Sequence, residues 1–138
     1  MGKKISTDAL TLTTDSRISG KYETYNFTIP DPAGFYSVDT RLCIDPALPA
    51  AITITLVDVT CDANPTTELD MDLKWADAFI GLANAALVVA LNTTDGAAVV
   101  TSFDDATIAS GKCLYLEFGA QADAAIKQVK IKITYVFD

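Results

Sequence analysis

A chain of 138 residues with 50% apolar and 20% charged residues has the size of one domain and can bury roughly 68% of the surface its unfolded form exposes. It carries 18 acidic against 10 basic residues, a net charge of −8, and no histidine, so a phosphate backbone is repelled and the commonest general base and metal ligand are both missing. No apolar run approaches the roughly 20 residues that span a bilayer, and residues 1–10 lack the apolar core of a cleaved signal, so neither a membrane nor secretion is expected.

Residues 1–20 are rich in Thr, Ser and Asp and read as an extended N-terminal arm with Ile5, Leu10 and Leu12 as its apolar contact points; residues 21–138 read as the folded domain. Tyr25, Phe27 and Ile29 lie on one face of a first strand that Pro30, Asp31, Pro32 and Gly34 end. Val38, Thr40, Leu42 and Ile44 form a second strand, stopped by Pro46 and Pro49. In the third, Ile52, Ile54 and Leu56 share one parity while Val57 and Val59 share the other, which requires a bulge or burial on both faces.

Asp62, Asn64 and Pro65 mark a turn into an alternating strand, with Leu69, Met71, Leu73 and Trp75 inward and Glu68, Asp70, Asp72 and Lys74 outward. Trp75 is expected as a core anchor. Residues 76–86 read as a loop with a single helical turn, since the alanines favour a helix that Gly81 and Asn84 oppose. Residues 85–91 and 97–103 flank a polar turn from Asn92 to Gly96 and predict a hairpin.

Leu87, Val88, Val89 and Leu91 are too continuously apolar for a strand with one wet face, so both faces should be covered. Together with Phe79 and Ile80 they are the expected interface of the domain. Leu114, Leu116 and Phe118 point inward from the next strand. In the last, Val129, Ile131, Ile133, Tyr135 and Phe137 alternate with Gln128, Lys130, Lys132, Thr134 and Val136. About eight strands with turn chemistry between them and no sustained amphipathic helix predict an all-β, antiparallel β-sandwich of jelly-roll type.

The residues offer little chemistry. Cys43, Cys61 and Cys113 are odd in number and dispersed, which predicts buried free thiols, with a Cys43–Cys61 bridge as the alternative, and no zinc site. Asp70 and Asp72 lie two apart on one strand face, roughly 7 Å along the chain, a spacing that a glycosidase pair uses. Beside Lys74 on an exposed strand, however, nothing is expected to raise an acid's pKa, and a solvated face is the better reading. Asp58, Asp62, Asn64 and Glu68 around one turn, with Asp104 and Asp105 in another, offer oxygen ligands without the spacing of a calcium loop. No catalytic residue, cofactor or metal ligand is therefore assigned. Residues 42–111 hold ten acidic residues against Lys74 alone, a surface suited to solubility.

Several segments in order, Phe27-Thr28-Ile29-Pro30-Asp31-Pro32, Arg41, Thr60-Cys61-Asp62-Ala63-Asn64-Pro65-Thr66, residues 69–74, Ile108-Ala109-Ser110-Gly111-Lys112 and residues 129–137, resemble the small β-sandwich accessory proteins of tailed-bacteriophage virions. The resemblance implies a non-enzymatic structural protein, made in the host cytoplasm and resident in the virion, that decorates or cements a capsid or sits in a tail. It implies binding to the major capsid protein or another virion protein as a symmetric homo-oligomer, a trimer being favoured, without nucleic-acid or membrane partners. The alternative is a carbohydrate- or receptor-binding module of a tail, for which Tyr22, Phe35, Tyr36 and Phe79 are the candidate exposed aromatics.

Overall fold

The alternating segments fold into strands that pair across long sequence separations, in a computed structural model that describes residues 21–65, 68–119 and 124–138. The arm at residues 1–20, with Ile5, Leu10 and Leu12, lies outside the described residues. The strands are β1 (Tyr22–Pro30), β2 (Arg41–Asp45), β3 (Ile52–Cys61), β4 (Met71–Ala76), β5 (Ala86–Ala90), β6 (Ala97–Val100), β7 (Thr107–Ile108), β8 (Cys113–Phe118) and β9 (Gln128–Phe137). One helical turn, α1 (Pro32–Phe35), follows β1 where the prolines end it.

Two antiparallel sheets result. The first runs β1-β9-β3-β6, with β7 also on β3; the second runs β2-β8-β4-β5. Apart from β4 to β5 and β6 to β7, each strand leads into the opposite sheet. The inward faces meet in one core that includes Ile29, Ile52, Val57, Met71, Leu73, Leu114, Leu116, Phe118, Ile131 and Ile133, all at most 1% exposed. Burying such side chains from both sheets is the main favourable term in the fold, at about 25 cal/mol per Å² of apolar surface. The antiparallel sandwich is thus the one the alternation predicts.

The parity change in β3 is a bulge. Ile54 pairs with Tyr135 and Leu56 with Thr134, leaving Thr55 as the extra residue, so Ile52 and Ile54 on one side of it and Val57 and Val59 on the other all point into the core. Thr55 uses its hydroxyl to donate to the Thr134 carbonyl at 3.3 Å.

The expected hairpin of residues 85–91 and 97–103 does not form. β5 pairs with β4 in the second sheet and β6 pairs with β3 in the first, so residues 92–96 cross between sheets instead of turning within one. The expected covering of both faces of β5 is only partial: Val88 and Val89 are buried within the same chain, while Leu87 is half-buried and Ala90 exposed. The β4–β5 register shifts so that Val88 has no cross-strand partner, and its carbonyl accepts from the Asp104 amide at 2.9 Å. Residues 76–86 hold turns and no helix; Gly81 and Leu82 both have positive φ, at 74° and 45°, which a right-handed turn excludes. Trp75 is half-buried at the end of β4, not a sealed anchor, because its indole N–H needs a partner and finds Asp105 Oδ2 at the rim, 2.8 Å away.

Candidate contact surfaces

The outer face of the second sheet carries the densest polar network among the described residues. β8 brings Glu117 between Arg41 on β2 and Lys74 on β4: Glu117 Oε2 accepts from Arg41 Nε at 2.8 Å, and Oε1 from Lys74 Nζ at 2.6 Å. Donation from Lys74, helped by Arg41, holds the Glu117 carboxyl below its usual range, and the same bond raises the Lys74 ammonium. Asp72, the β4 partner of Glu117, moves the opposite way. Desolvation pushes its carboxyl up against the pull of Lys74, with Asp70 and Glu117 adding to the rise. The expectation that nothing raises an acid on this face is therefore corrected for Asp72, because neighbouring side chains shield it from water.

Farther along this face, Ala76, Cys113 and Tyr115 form a small second apolar cluster under Leu82. The loop of residues 77–85 lies over it, tied at its base by Asp77, which accepts from both Lys112 and Asn84. Phe79 meets Tyr115 edge-on at 6.0 Å between centroids, and Ile80 at the loop tip is 90% exposed. Asp39, Arg41, Phe79, Gly81 and Leu82 line a shallow concavity of about 470 Å³ beside it. The Lys112 ammonium also lies 5.5 Å from the centre of the Trp75 ring.

A second concavity, of about 350 Å³, opens where β1 and β2 border each other across the sandwich, lined mainly by Tyr25, Phe27, Tyr36, Leu42 and Ile44. Tyr25 stacks on Tyr135 at 4.9 Å and Tyr36 on Phe118 at 4.3 Å, fixing two of its walls.

Of the expected interface residues, Phe79 and Ile80 are exposed and adjacent, and Leu87 is half-buried. Val88 and Leu91 are 0% exposed and Val89 8% exposed within the single chain, so these three belong to the core and offer no docking surface. Tyr22 is exposed, Tyr36 is committed to its stack on Phe118, and the Phe35 side chain lies outside the described set.

Two of the carboxylates considered for calcium do other work: Asp62 Oδ1 accepts from the Lys127 and Gln128 amides, and Asp105 from Trp75. No group of three metal-ligating side chains occurs among the described residues. Cys113 is buried and Cys43 and Cys61 half-buried, all unpaired, and burial raises each thiol. Among the described residues no helix is long and apolar enough to cross a membrane. The Arg41, Lys74 and Glu117 network was hidden in the sequence, where the three are up to 76 positions apart; only the outward parity of Lys74 hinted at it.

No protein-family model matches this chain, and no curated protein matches it. Among solved structures it is similar to a chain of the cyanophage Pam1 capsid asymmetric unit, at 15% identity over 100% of both chains and a TM-score of 0.44. A likeness of that size assigns neither family nor function.

Proposed function

We propose that this chain is a non-enzymatic structural protein of a phage virion, a capsid decoration or cement protein that binds the particle surface as a symmetric oligomer, a trimer being favoured. The observation that carries this reading is the pair Phe79 and Ile80, apolar side chains held out from the sandwich on a loop whose base is pinned by Asp77, Asn84 and Lys112. A pinned apolar tip costs little ordering entropy on docking, which is what a contact module needs. The resemblance of the sequence to virion accessory sandwiches supports the same reading. The strand order β1-β9-β3-β6 facing β2-β8-β4-β5, with the chain passing repeatedly between sheets, supports a jelly roll. The major capsid protein or another virion protein is the partner, with residues 1–20 as an additional arm. Purified chain mixed with tailed-phage particles that lack it should co-sediment at a fixed copy number, and Ile80→Asp should abolish that while leaving the domain folded. Failure of the wild-type chain to bind the particles would overturn the reading.

A carbohydrate- or receptor-binding role in a tail is the second reading, favoured by one feature: Phe79 stands beside Asp39 and Arg41 in one concavity, an aromatic wall with polar groups next to it. A glycan array on which Phe79→Ala loses the binding shown by wild type would support it, and no binder at all would remove it.

A further inference from the structure

The concavity on the outer face of the second sheet holds apolar surface and both signs of charge in one patch. Phe79 and Leu82 supply an apolar wall, and Asp39 and Arg41 line the same hollow. Beside it Ile80 stands out, 90% exposed, and Val38, next to Asp39 in the chain, is 58% exposed. The two charges do not pair with each other. Arg41 gives its Nε to Glu117 at 2.8 Å, which leaves the terminal nitrogens of the guanidinium as donors. The Asp39 carboxylate has no ion pair or hydrogen bond among the described residues, although its backbone is fixed, with φ at 64° and its amide donating to the Phe118 carbonyl at 2.9 Å.

A hollow with an apolar knob at its side and one cation and one anion in its lining is complementary to a copy of itself. A two-fold axis through the patch sends the Ile80 of each subunit to the hollow of the other and sets the Arg41 of each against the Asp39 of the other, as an isologous contact requires. Opposite charges then meet twice, whereas a partner surface of one sign would satisfy one of them and repel the other. The parts are in place before contact. The Asp77 amide donates to the Ala83 carbonyl at 3.0 Å across the base of the loop, and Phe79 rests edge-on against Tyr115. Few groups therefore need ordering when two copies meet.

We infer that this patch is a two-fold contact between copies of this chain, with Ile80 as the knob and the Arg41–Asp39 pairs fixing its register. The inference rests on the oligomer part of the reading above and not on the particle; it makes pairs, and a threefold assembly would draw on a different surface. Five lining residues are few against the roughly 20–30 a side of a standard interface, so the pair is weak and forms at high protein concentration.

Sedimentation equilibrium of the full-length chain over a concentration series should show monomer and dimer. Ile80→Asp should raise the dissociation constant about tenfold or more, and so should Asp39→Lys and Arg41→Glu singly, because each of the last two sets like charges face to face at both ends of the contact. An equimolar mixture of Asp39→Lys with Arg41→Glu should recover the dimer, since every exchanged charge then meets its opposite. Circular dichroism melts check that the variants fold. Should Arg41→Glu fail beside Glu117, Ile80→Asp and Asp39→Lys carry the test, since neither side chain holds a bond within the described subunit. A chain that stays monomeric at millimolar concentration would overturn the contact, as would a dimer or trimer indifferent to Ile80→Asp and Asp39→Lys, or folded variants that do not associate on mixing. A monomeric chain that still co-sediments with particles removes this contact and leaves the virion assignment standing; a dimer that never co-sediments does the reverse.

Discussion

The Tyr25 hydroxyl donates a 2.7 Å hydrogen bond to Asp45 Oδ2, joining the edge strand of one sheet to the edge strand of the other. Asp45 Oδ1 meanwhile accepts from the Ala47 amide, so one carboxylate holds both the start of the β2–β3 connection and the open side of the sandwich. Burial, and then the bond to Asp45, push the Tyr25 phenol far above its usual range. Its neutral form is therefore the one the fold stabilises.

Tyr25→Phe should cost about 1–2 kcal/mol near pH 7, as expected for a hydrogen bond to a charged acceptor. The phenol's folded pKa is raised, so its contribution is complete below the unfolded value near 10 and is lost as pH rises above it. Urea melts of both proteins at pH 7 and at pH 11 check this; the gap between them should shrink at the higher pH.

Glu117→Gln should destabilise by about 1 kcal/mol at pH 7, the figure kept low because Arg41 is 39% exposed and solvent screens that arm of the network. With a lowered folded pKa, Glu117 stabilises above the unfolded carboxylate value and loses that contribution as pH falls through its folded one. Asp72→Asn should do the reverse. Its raised carboxyl makes ionisation unfavourable in the fold, so neutralising it should raise the melting temperature at pH 7, by about half a kcal/mol or less of stability. Thermal melts of the two variants between pH 3 and 8 should converge on wild type in acid.

Deleting Thr55 should unfold the protein, or leave it without a cooperative melt. The bulge is what lets Ile54 and Val57 face the same core, and without it one half of β3 presents its apolar residues to water. Thr55→Val keeps the residue count and should cost only about 1 kcal/mol. Circular dichroism melts separate the two outcomes.

Val89→Asp and Ile80→Asp should part company. Val89 is buried in the subunit's own core, so an unpaired carboxylate there should cost several kcal/mol and prevent folding of the isolated chain. Ile80 is almost wholly exposed, and its substitution should leave the stability within about 0.5 kcal/mol of wild type. Light scattering after size-exclusion chromatography reads both: a folded but dissociated Val89→Asp subunit would place that residue at an interface after all.

The strands were legible wherever one face is wet. In β9, Lys130 and Lys132 stand between Ile131 and its neighbours, and period-two alternation is a local property that pairing does not alter. The bulge in β3 was equally visible, since a parity change has few structural causes. Residues 86–91 misled for the complementary reason: a continuous apolar run suggests that both faces are covered, whereas here a register shift at Val88 buries Val88 and Val89 together and leaves Ala90 exposed. The same lack of pairing information suggested a hairpin where the chain changes sheet.

The sequence by itself determined the class of fold, the inward face of each alternating strand, and the absence of any histidine-based chemistry, because those follow from composition and from the two-residue period of a strand. Only the tertiary structure decided which strands are neighbours, and with them the surfaces. Glu117 meets Arg41 and Lys74, Tyr25 meets Asp45, and Phe79 with Ile80 is left outside while Val88 goes in, because side-chain contact in a sandwich is set by the order of strands across two sheets and not by their order along the chain.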